Sequence, residues 1–346
     1  MLGHQPSWLT QVVETALEPE LPLIDAHFHA WPDVFAPYVD ALGRASPEAW
    51  VELIASSGHN IVAGAHTTTW AQYDATTLPE DLRPVAETAY LDREGERLLR
   101  VGGPCARWIS AISGSANMQL GDRIEAVLDA HQAASPDRFR GIRDDTAWHT
   151  HPQIAHSVAE PGRLCTPAAI EASRRLAARG LVLEAWVYHT QLDDVIAVAR
   201  AVPDLTIVLN HVGTPITDPN IYPDSLAVFS AWRTSLRALA QHHNVKVKLG
   251  GLAMEMAVGN LWAARERPPT SEELARGQRP FINTAIELFT PARAMFESNY
   301  PTEKVSASYG VIWNALKRIA ADFSADEKKA LFLDTARQTY RIDLAD

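Results

Sequence analysis

The chain has 346 residues, 47% of them hydrophobic and 21% charged, with a formal net charge of −11. No basic block exists to neutralise phosphates, which excludes nucleic acid as a partner, and no apolar run approaches the ~18 residues that a membrane span requires. Cys105 and Cys165 are the only cysteines and lack Cys-x-x-Cys spacing, which argues against a thiolate metal site and against a disulfide framework.

Residues 1–20 place Trp8, Leu9, Val12, Val13 and Leu17 at roughly helical spacing and read as an N-terminal arm packed on the outside. The first ten residues lack a basic segment followed by an apolar core, so no secretory signal is expected and a cytoplasmic location is. Residues 23–29 (LIDAHFH) read as a short buried strand ending in His-x-His. Strand side chains alternate, so His27 and His29 point the same way and can converge on one metal ion or one carbonyl. On this stretch alone, two histidines hydrogen-bonded inside a core are an equal alternative.

A helix follows over residues 47–57, with Ser46 as N-cap, Pro47 at the first position and Gly58 as the stop. Further apolar runs of strand length lie at 60–67, 106–114, 139–144, 181–188, 205–211, 245–249 and 294–298. Helical stretches at 122–134, 167–178, 191–201, 228–241, 306–322 and 325–339 come between or after them, the last with a Ser324/Glu327 capping box. This alternation predicts an α/β protein, a (β/α)8 TIM barrel formed by one domain over residues 1–346. A doubly wound sheet is the alternative, but the Gly-rich first turn it usually carries is absent.

Residues 250–271 form a long non-periodic connection after the seventh strand, on the face where barrel active sites lie. It reads as a lid, with Met254, Met256 and Trp262 giving it an adaptable apolar inner side. A surface excursion over neighbouring helices is the alternative.

In a barrel the strand ends converge on one face. Strand one delivers His27 and His29 there, strand two His66, strand four Arg143 and Asp144, and the loop after strand five His189. Strand six delivers His211 and strand eight Asn299. Five of 13 histidines thus fall at strand C-termini, which points to a functional site. Alternation also puts Asp25 below His27 and Glu297 below Asn299, and sets Lys248 near the end of strand seven. Lys248 and Glu184 read as a structural ion pair, because unpaired buried ions cost several kcal/mol. Arg143 reads as the anchor of a substrate carboxylate, since its planar fork suits that group.

These residues carry a resemblance. Asp25-Ala26-His27-Phe28-His29, Gly141-Ile142-Arg143, Asn210-His211-Val212-Gly213 and Phe296-Glu297-Ser298-Asn299-Tyr300-Pro301 together resemble the amidohydrolase superfamily. The match is to its amidohydrolase-2 branch of TIM-barrel hydrolases, which includes sugar lactonases and a pyrone dicarboxylate lactonase. It extends over nearly the whole chain, including Gly250-Gly251-Leu252 and the 313–318 segment. The resemblance implies a site built on His27, His29, His211 and, displaced into a loop, His189. The eighth-strand position, usually an aspartate, is Asn299 here, and an amide accepts no proton near neutral pH.

Two routes follow. In one, Zn²⁺ is held by His27, His29 and His189 while Asn299 orients a bound water. In the other the site is metal-free, the histidines polarise the carbonyl and His211 is the general base. The missing carboxylate favours the second. The expected reaction is hydrolysis of a lactone or related cyclic carbonyl compound with an acidic group and an apolar part. Arg143, His66, His189, Met254 and Trp262 would bind this small-molecule substrate. A decarboxylase or hydratase, and a non-catalytic binding barrel, are the rival readings. A homo-oligomer is compatible with all of them.

Overall fold

Short apolar runs alternating with amphipathic helices produce eight parallel strands paired in sequence order. The structure, a computed structural model, describes residues 6–35, 39–40, 42–69, 77–259 and 261–344. The strands are β1 (Leu23–Phe28), β2 (Ile61–Thr67), β3 (Ala111–Ser115), β4 (Phe139–Arg143), β5 (Val182–Ala185), β6 (Thr206–Leu209), β7 (Val245–Leu249) and β8 (Ala294–Phe296). The major helices between them are α1 (Pro47–Ser57), α2 (Val85–Val101), α3 (Ile124–Ala134), α4 (Pro167–Ala178), α5 (Leu192–Ala201), α6 (Ser225–Ala240) and α7 (Ser271–Phe289), with α8 (Tyr309–Ile319) after β8. The last strand returns to the first: Asn299 N–H donates to the His27 carbonyl (2.9 Å) and His29 N–H to the Tyr300 carbonyl (2.9 Å). The expected TIM barrel is the observed architecture.

Helix ends follow the sequence signals closely. The Ser46 hydroxyl accepts from Ala49 N–H and Gly58 ends α1 in the left-handed region. Thr166 caps α4 in the same manner, and Thr270 with Glu273 forms a reciprocal capping box on α7. The third strand differs from its expected position. It begins at Ala111, because residues 103–108 make turns that bury Trp108 against Phe28 and Trp50, at ring separations of 4.0 and 4.7 Å. Helix α2 has no counterpart in the sequence reading. Its start carries no side-chain cap, and Gly95 interrupts its apolar stripe because the guanidinium of Arg138 packs directly over that position.

The barrel interior is sealed from below. Ile24, Ala26, Ala63, Ala65, Ala111, Val182, Val208 and Met295 form a cluster with Leu333, Ala336, Tyr340 and Ile342 of the C-terminal segment. The C-terminal helix, residues 325–340 with a π-helical turn at Ala330–Asp334, therefore plugs the barrel. The Tyr340 hydroxyl donates to Glu184 Oε1 at 2.6 Å. Among the described residues, the N-terminal arm is helical over Pro6–Leu9 alone, and Val13 is exposed. Polar bonds hold it instead: Glu14 accepts from Ser271 N–H (2.8 Å) and Asn314 Nδ2 (3.1 Å), at the start of α7 and on α8.

The 250–271 connection is packed down. It contains a short helix, Glu255–Val258, and the Ala257 carbonyl accepts from Thr217 N–H at 2.7 Å. Met254 and Trp262 are buried in the main core, Trp262 with the guanidinium of Arg265 4.4 Å from its ring. Met256, not Met254, meets the apolar group of Tyr188, Ile216, Trp186 and Tyr222. Among the described residues, no helix is long and apolar enough to cross a membrane.

Replacing Tyr340 by Phe should cost about 1.5–3 kcal/mol, the range for a hydrogen bond to a charged group. Denaturant unfolding measures this, and a loss below ~0.5 kcal/mol would show that Glu184 does not depend on the plug.

Candidate active site

A bulge in β1 decides what the first strand delivers. The β1–β2 register shifts between Asp25 and Phe28, so Asp25 and His27 do not share a face. This corrects the expectation from simple alternation. Asp25 turns outward, where Ser298 N–H (2.9 Å), Ser298 Oγ (2.6 Å) and the Tyr309 hydroxyl of α8 (3.0 Å) donate to it. His27 turns inward with His29. Their Nε2 atoms lie 3.3 Å apart, and His29 Nδ1 donates to the Thr67 carbonyl at 2.8 Å.

His27 Nδ1 faces a lysine and a carboxyl group. Lys248 Nζ lies at 3.1 Å in hydrogen-bonding geometry, and Glu297 Oε2 lies at 3.2 Å. Lys248 in turn pairs with Glu184 Oε2 at 2.9 Å, both side chains fully buried. Asn210 Nδ2 donates to that same oxygen (2.6 Å) and Ser113 Oγ to Oε1 (3.3 Å), completing the shell around the Glu184 carboxylate.

His211 sits on a strained turn. Its own φ is 54°, followed by Val212 at 48°, Gly213 at 76° and Thr214 at 41°. Left-handed non-glycine residues cost roughly 1–3 kcal/mol each and persist only where surroundings impose them. Two hydrogen bonds do so here. Trp232 Nε1 donates to the Val212 carbonyl (2.8 Å), and His211 N–H donates to Glu297 Oε1 (3.2 Å). His211 Nδ1 also donates to Glu297 Oε1, at 2.8 Å, which leaves Nε2 as a lone pair. The ring stands 4.7 Å from that of His27. Gly251, with φ 67°, lies directly under it; any side chain there would strike the imidazole.

Burial shapes the proton affinities. It pushes His29 down to about 3, assisted by Arg143, and holds His27 and His211 well below the usual imidazole range, assisted by Lys248 and Arg143. All three are therefore neutral at ordinary pH. Burial lifts Glu297 to about 8, opposed by Lys248, and lifts Glu303 to about 8.

The other expected site residues are distributed more widely. Arg143, buried, donates from Nη2 to the Thr68 carbonyl (2.5 Å) and lies 5.9 Å from the Trp186 ring. Asn299, also at positive φ (48°), hydrogen-bonds His29, and its Nδ2 is buried with no partner among the described residues. His66 faces the helix layer, because Thr67 takes the inward position next to it. His66 packs on Phe28 and lies 3.7 Å from Glu87 of α2. His189 accepts from Ile216 N–H at 3.4 Å and packs on Tyr222, lining a separate cavity of about 420 Å³. Among the described residues, the candidate ligand atoms that group within 4.8 Å belong to His27, His211 and Glu297; His189 is not with them.

Glu297, Lys248, Thr67 and Glu87 belong to this site or support it, yet only Glu297 and Lys248 carried any signal in the sequence. That signal was their period-two placement below a strand end.

The donor set is compatible with a metal. The 3.3 Å between the His27 and His29 Nε2 atoms is close to the edge of a tetrahedron with bonds of ~2.0–2.1 Å, as zinc adopts. His211 and Glu297 add donors nearby.

A barrel whose strand ends gather histidines over a carboxylate defines the class. The chain matches the amidohydrolase family over residues 24–342 and belongs to it. It is 32% identical over 338 residues to an uncharacterized protein of Sinorhizobium fredii, covering 93% of this chain and 99% of that one. It is 25% identical over 331 residues to L-fucono-1,5-lactonase of Burkholderia ambifaria, covering 92% and 96%. Among solved structures, an amidohydrolase of Burkholderia multivorans with bound HEPES superposes with a TM-score of 0.70 at 24% identity, over 93% and 99% of the two chains. A second structure of a Burkholderia multivorans amidohydrolase, with bound zinc, gives 0.69 at 24% identity, with the same coverage of both chains. The protein is an amidohydrolase-type hydrolase.

Stability should fall in both directions from mildly acidic pH. The lowered histidines take up protons in the unfolded chain first, so their contribution is lost as pH falls below about 6.5. Glu297 and Glu303 hold their protons up to about 8 when folded, so theirs is lost as pH rises from about 4.5. Glu303→Gln should raise the unfolding midpoint at pH 8.5 relative to that at pH 5.5, compared with the wild type. An unchanged difference would show that Glu303 titrates normally.

Proposed function

We propose that this protein hydrolyses a lactone bearing an acidic group and an apolar part. The observation that carries the reading is the Glu297–His211 pair, 2.8 Å apart, set beside two inward imidazoles at the mouth of the barrel. The lactonase of Burkholderia ambifaria, similar over most of both chains, supports the substrate class.

Glu297 fixes the His211 tautomer, so Nε2 is the acceptor for a proton from water. As that water attacks the lactone carbonyl, negative charge develops on the carbonyl oxygen. Asn299 Nδ2, buried and unpartnered, is a donor for that oxygen, and the His27/His29 pair supplies a second polar contact. The tetrahedral intermediate then expels the ring oxygen, which takes the proton from His211, and a hydroxy acid is released. Arg143 holds the acidic substituent, and the Trp186, Tyr188, Tyr222 and Met256 group receives the apolar part.

A metal would be held by the Nε2 atoms of His27 and His29, with His211 and Glu297 as further donors. When bound it would polarise the carbonyl and acidify a water. Asn299 contributes no anionic ligand to such a site, so we favour the metal-free route. Elemental analysis of protein purified without chelators separates the two, and stoichiometric zinc would reject the metal-free route.

On a panel of sugar, aryl and carboxylate-bearing lactones, ring opening is expected for at least one acidic member. His211→Gln should lower kcat ~10²–10⁴-fold, the usual share of a general base, while unfolding remains cooperative. No ring opening anywhere on the panel, or release of carbon dioxide from aromatic acids, would overturn the proposal. In the same assay, Arg143→Gln should raise KM for acid-bearing lactones ~10-fold or more, the scale of a charge-assisted hydrogen bond. Neutral lactones should be nearly unaffected, and an equal change for both would remove Arg143 from substrate binding.

A further inference from the structure

The end of the barrel opposite the active site gathers arginines that are scattered along the sequence. Arg107 precedes β3, Arg138 and Arg140 stand at the start of β4, and Arg341 follows the C-terminal helix. Together they line a cavity of about 160 Å³. Arg138 is neutralised by Asp92 (3.1 Å) and Glu96 (2.7 Å) of α2. The other three meet carbonyls instead. Arg140 donates to those of Tyr340 (2.6 Å), Phe139 (3.0 Å) and Asp137 (2.5 Å). Arg107 donates to that of Asp343 (2.8 Å) and Arg341 to that of Gly180 (2.7 Å). A guanidinium has five N–H groups and stays charged at any ordinary pH, so donors and positive charge are left over on all three. Asp137 and Asp343 also line the cavity, but among the described residues no carboxylate forms an ion pair with Arg107, Arg140 or Arg341. Burial and the Arg341 charge both weigh against the charged form of Arg140, and Asp137 opposes them only in part. Like charges held together repel unless something negative sits between them.

We propose that this cavity binds one free tetrahedral oxyanion of the phosphate class, which fastens the C-terminal plug to the base of the barrel. The size selects a small ion, since pockets for drug-sized ligands start at ~300 Å³. The donors select an oxyanion, because planar guanidinium forks engage several oxygens at once. The position gives binding a consequence. Arg140 and Arg107 hold the Tyr340 and Asp343 carbonyls, and the Tyr340 hydroxyl bonds Glu184. An anion shared by Arg107, Arg140 and Arg341 ties the strand bases to the segment that seals the barrel, so the bound form resists unfolding better.

The test is equilibrium dialysis of the full chain against inorganic phosphate at constant ionic strength. One phosphate per chain is expected, and thermal unfolding should move upward with phosphate but not with chloride of equal ionic strength. Arg341→Asn, which suits the left-handed φ of 50° at that position, should weaken binding at least ~10-fold, the scale of a charge-assisted hydrogen bond. Arg107→Gln should do the same independently. Arg143→Gln, at the opposite face of the barrel, should bind phosphate as the wild type does. Loss of binding in that variant would move the ion to the active site and overturn the proposal. Absence of saturable binding to the wild type would overturn it even if the base variants failed to fold. So would folded Arg341→Asn and Arg107→Gln proteins that bind phosphate with unchanged affinity. No lactone enters these measurements, so their outcome does not depend on ring-opening activity.

Discussion

The interaction on which this structure turns is the Lys248–Glu184 ion pair, 2.9 Å long and wholly without solvent contact. Two charges taken from water cost several kcal/mol each unless every remaining lone pair and proton is used. Here they are used. Tyr340 and Ser113 donate to one oxygen of Glu184, Asn210 and Lys248 to the other, and Lys248 spends its remaining protons on His27 and Thr67. The pair therefore joins seven elements: the C-terminal plug, β1, β2, β3, β5, β7 and the turn after β6. Through Lys248 it reaches the floor of the active site, so barrel closure and site electrostatics depend on one desolvated contact.

Above that floor the backbone is bent to suit the site. The left-handed run from His211 to Thr214 places a β-branched valine and a threonine where glycine is usual. A relaxed loop would not retain this; the Trp232 and Glu297 bonds impose it. The two glycines after β7 act in concert. Gly250 clears Glu297 and Gly251 clears His211, so the strand-seven turn is shaped by the carboxylate–imidazole pair lying against it. Strain here is confined to the residues whose orientation the proposed chemistry needs.

Much of this was legible in the chain. Strand-length apolar runs and capped helix starts such as Ser46 and Ser324 marked the barrel, because period and capping are local properties. The eighth-strand Asn299 and the sixth-strand His211 were visible as strand-end polar residues. What escaped the sequence was non-local. The β1 bulge, which turns Asp25 out and keeps His27 in, has no composition signal. The outward side of His66 follows from whether it or Thr67 is the inward residue, and a one-residue difference in phase reverses it. Helix α2 was hidden because Gly95 answers to Arg138, more than 40 residues away. His189 stands at a strand end in sequence, but the 3₁₀ turn after β5 carries it toward Tyr222.

Asn299 gains meaning from these surroundings. A carboxylate at that position would lie beside His29, whose other nitrogen is already committed to Thr67, and would add a third buried acid to Glu297 and Glu184. Burial already lifts Glu297 to about 8, and the Glu184 charge adds to that. A further negative charge would raise it more. An amide avoids that repulsion and brings an N–H that a carboxylate lacks. The exchange trades a base for a donor, which suits a site where His211 accepts the proton and the developing oxyanion needs a partner.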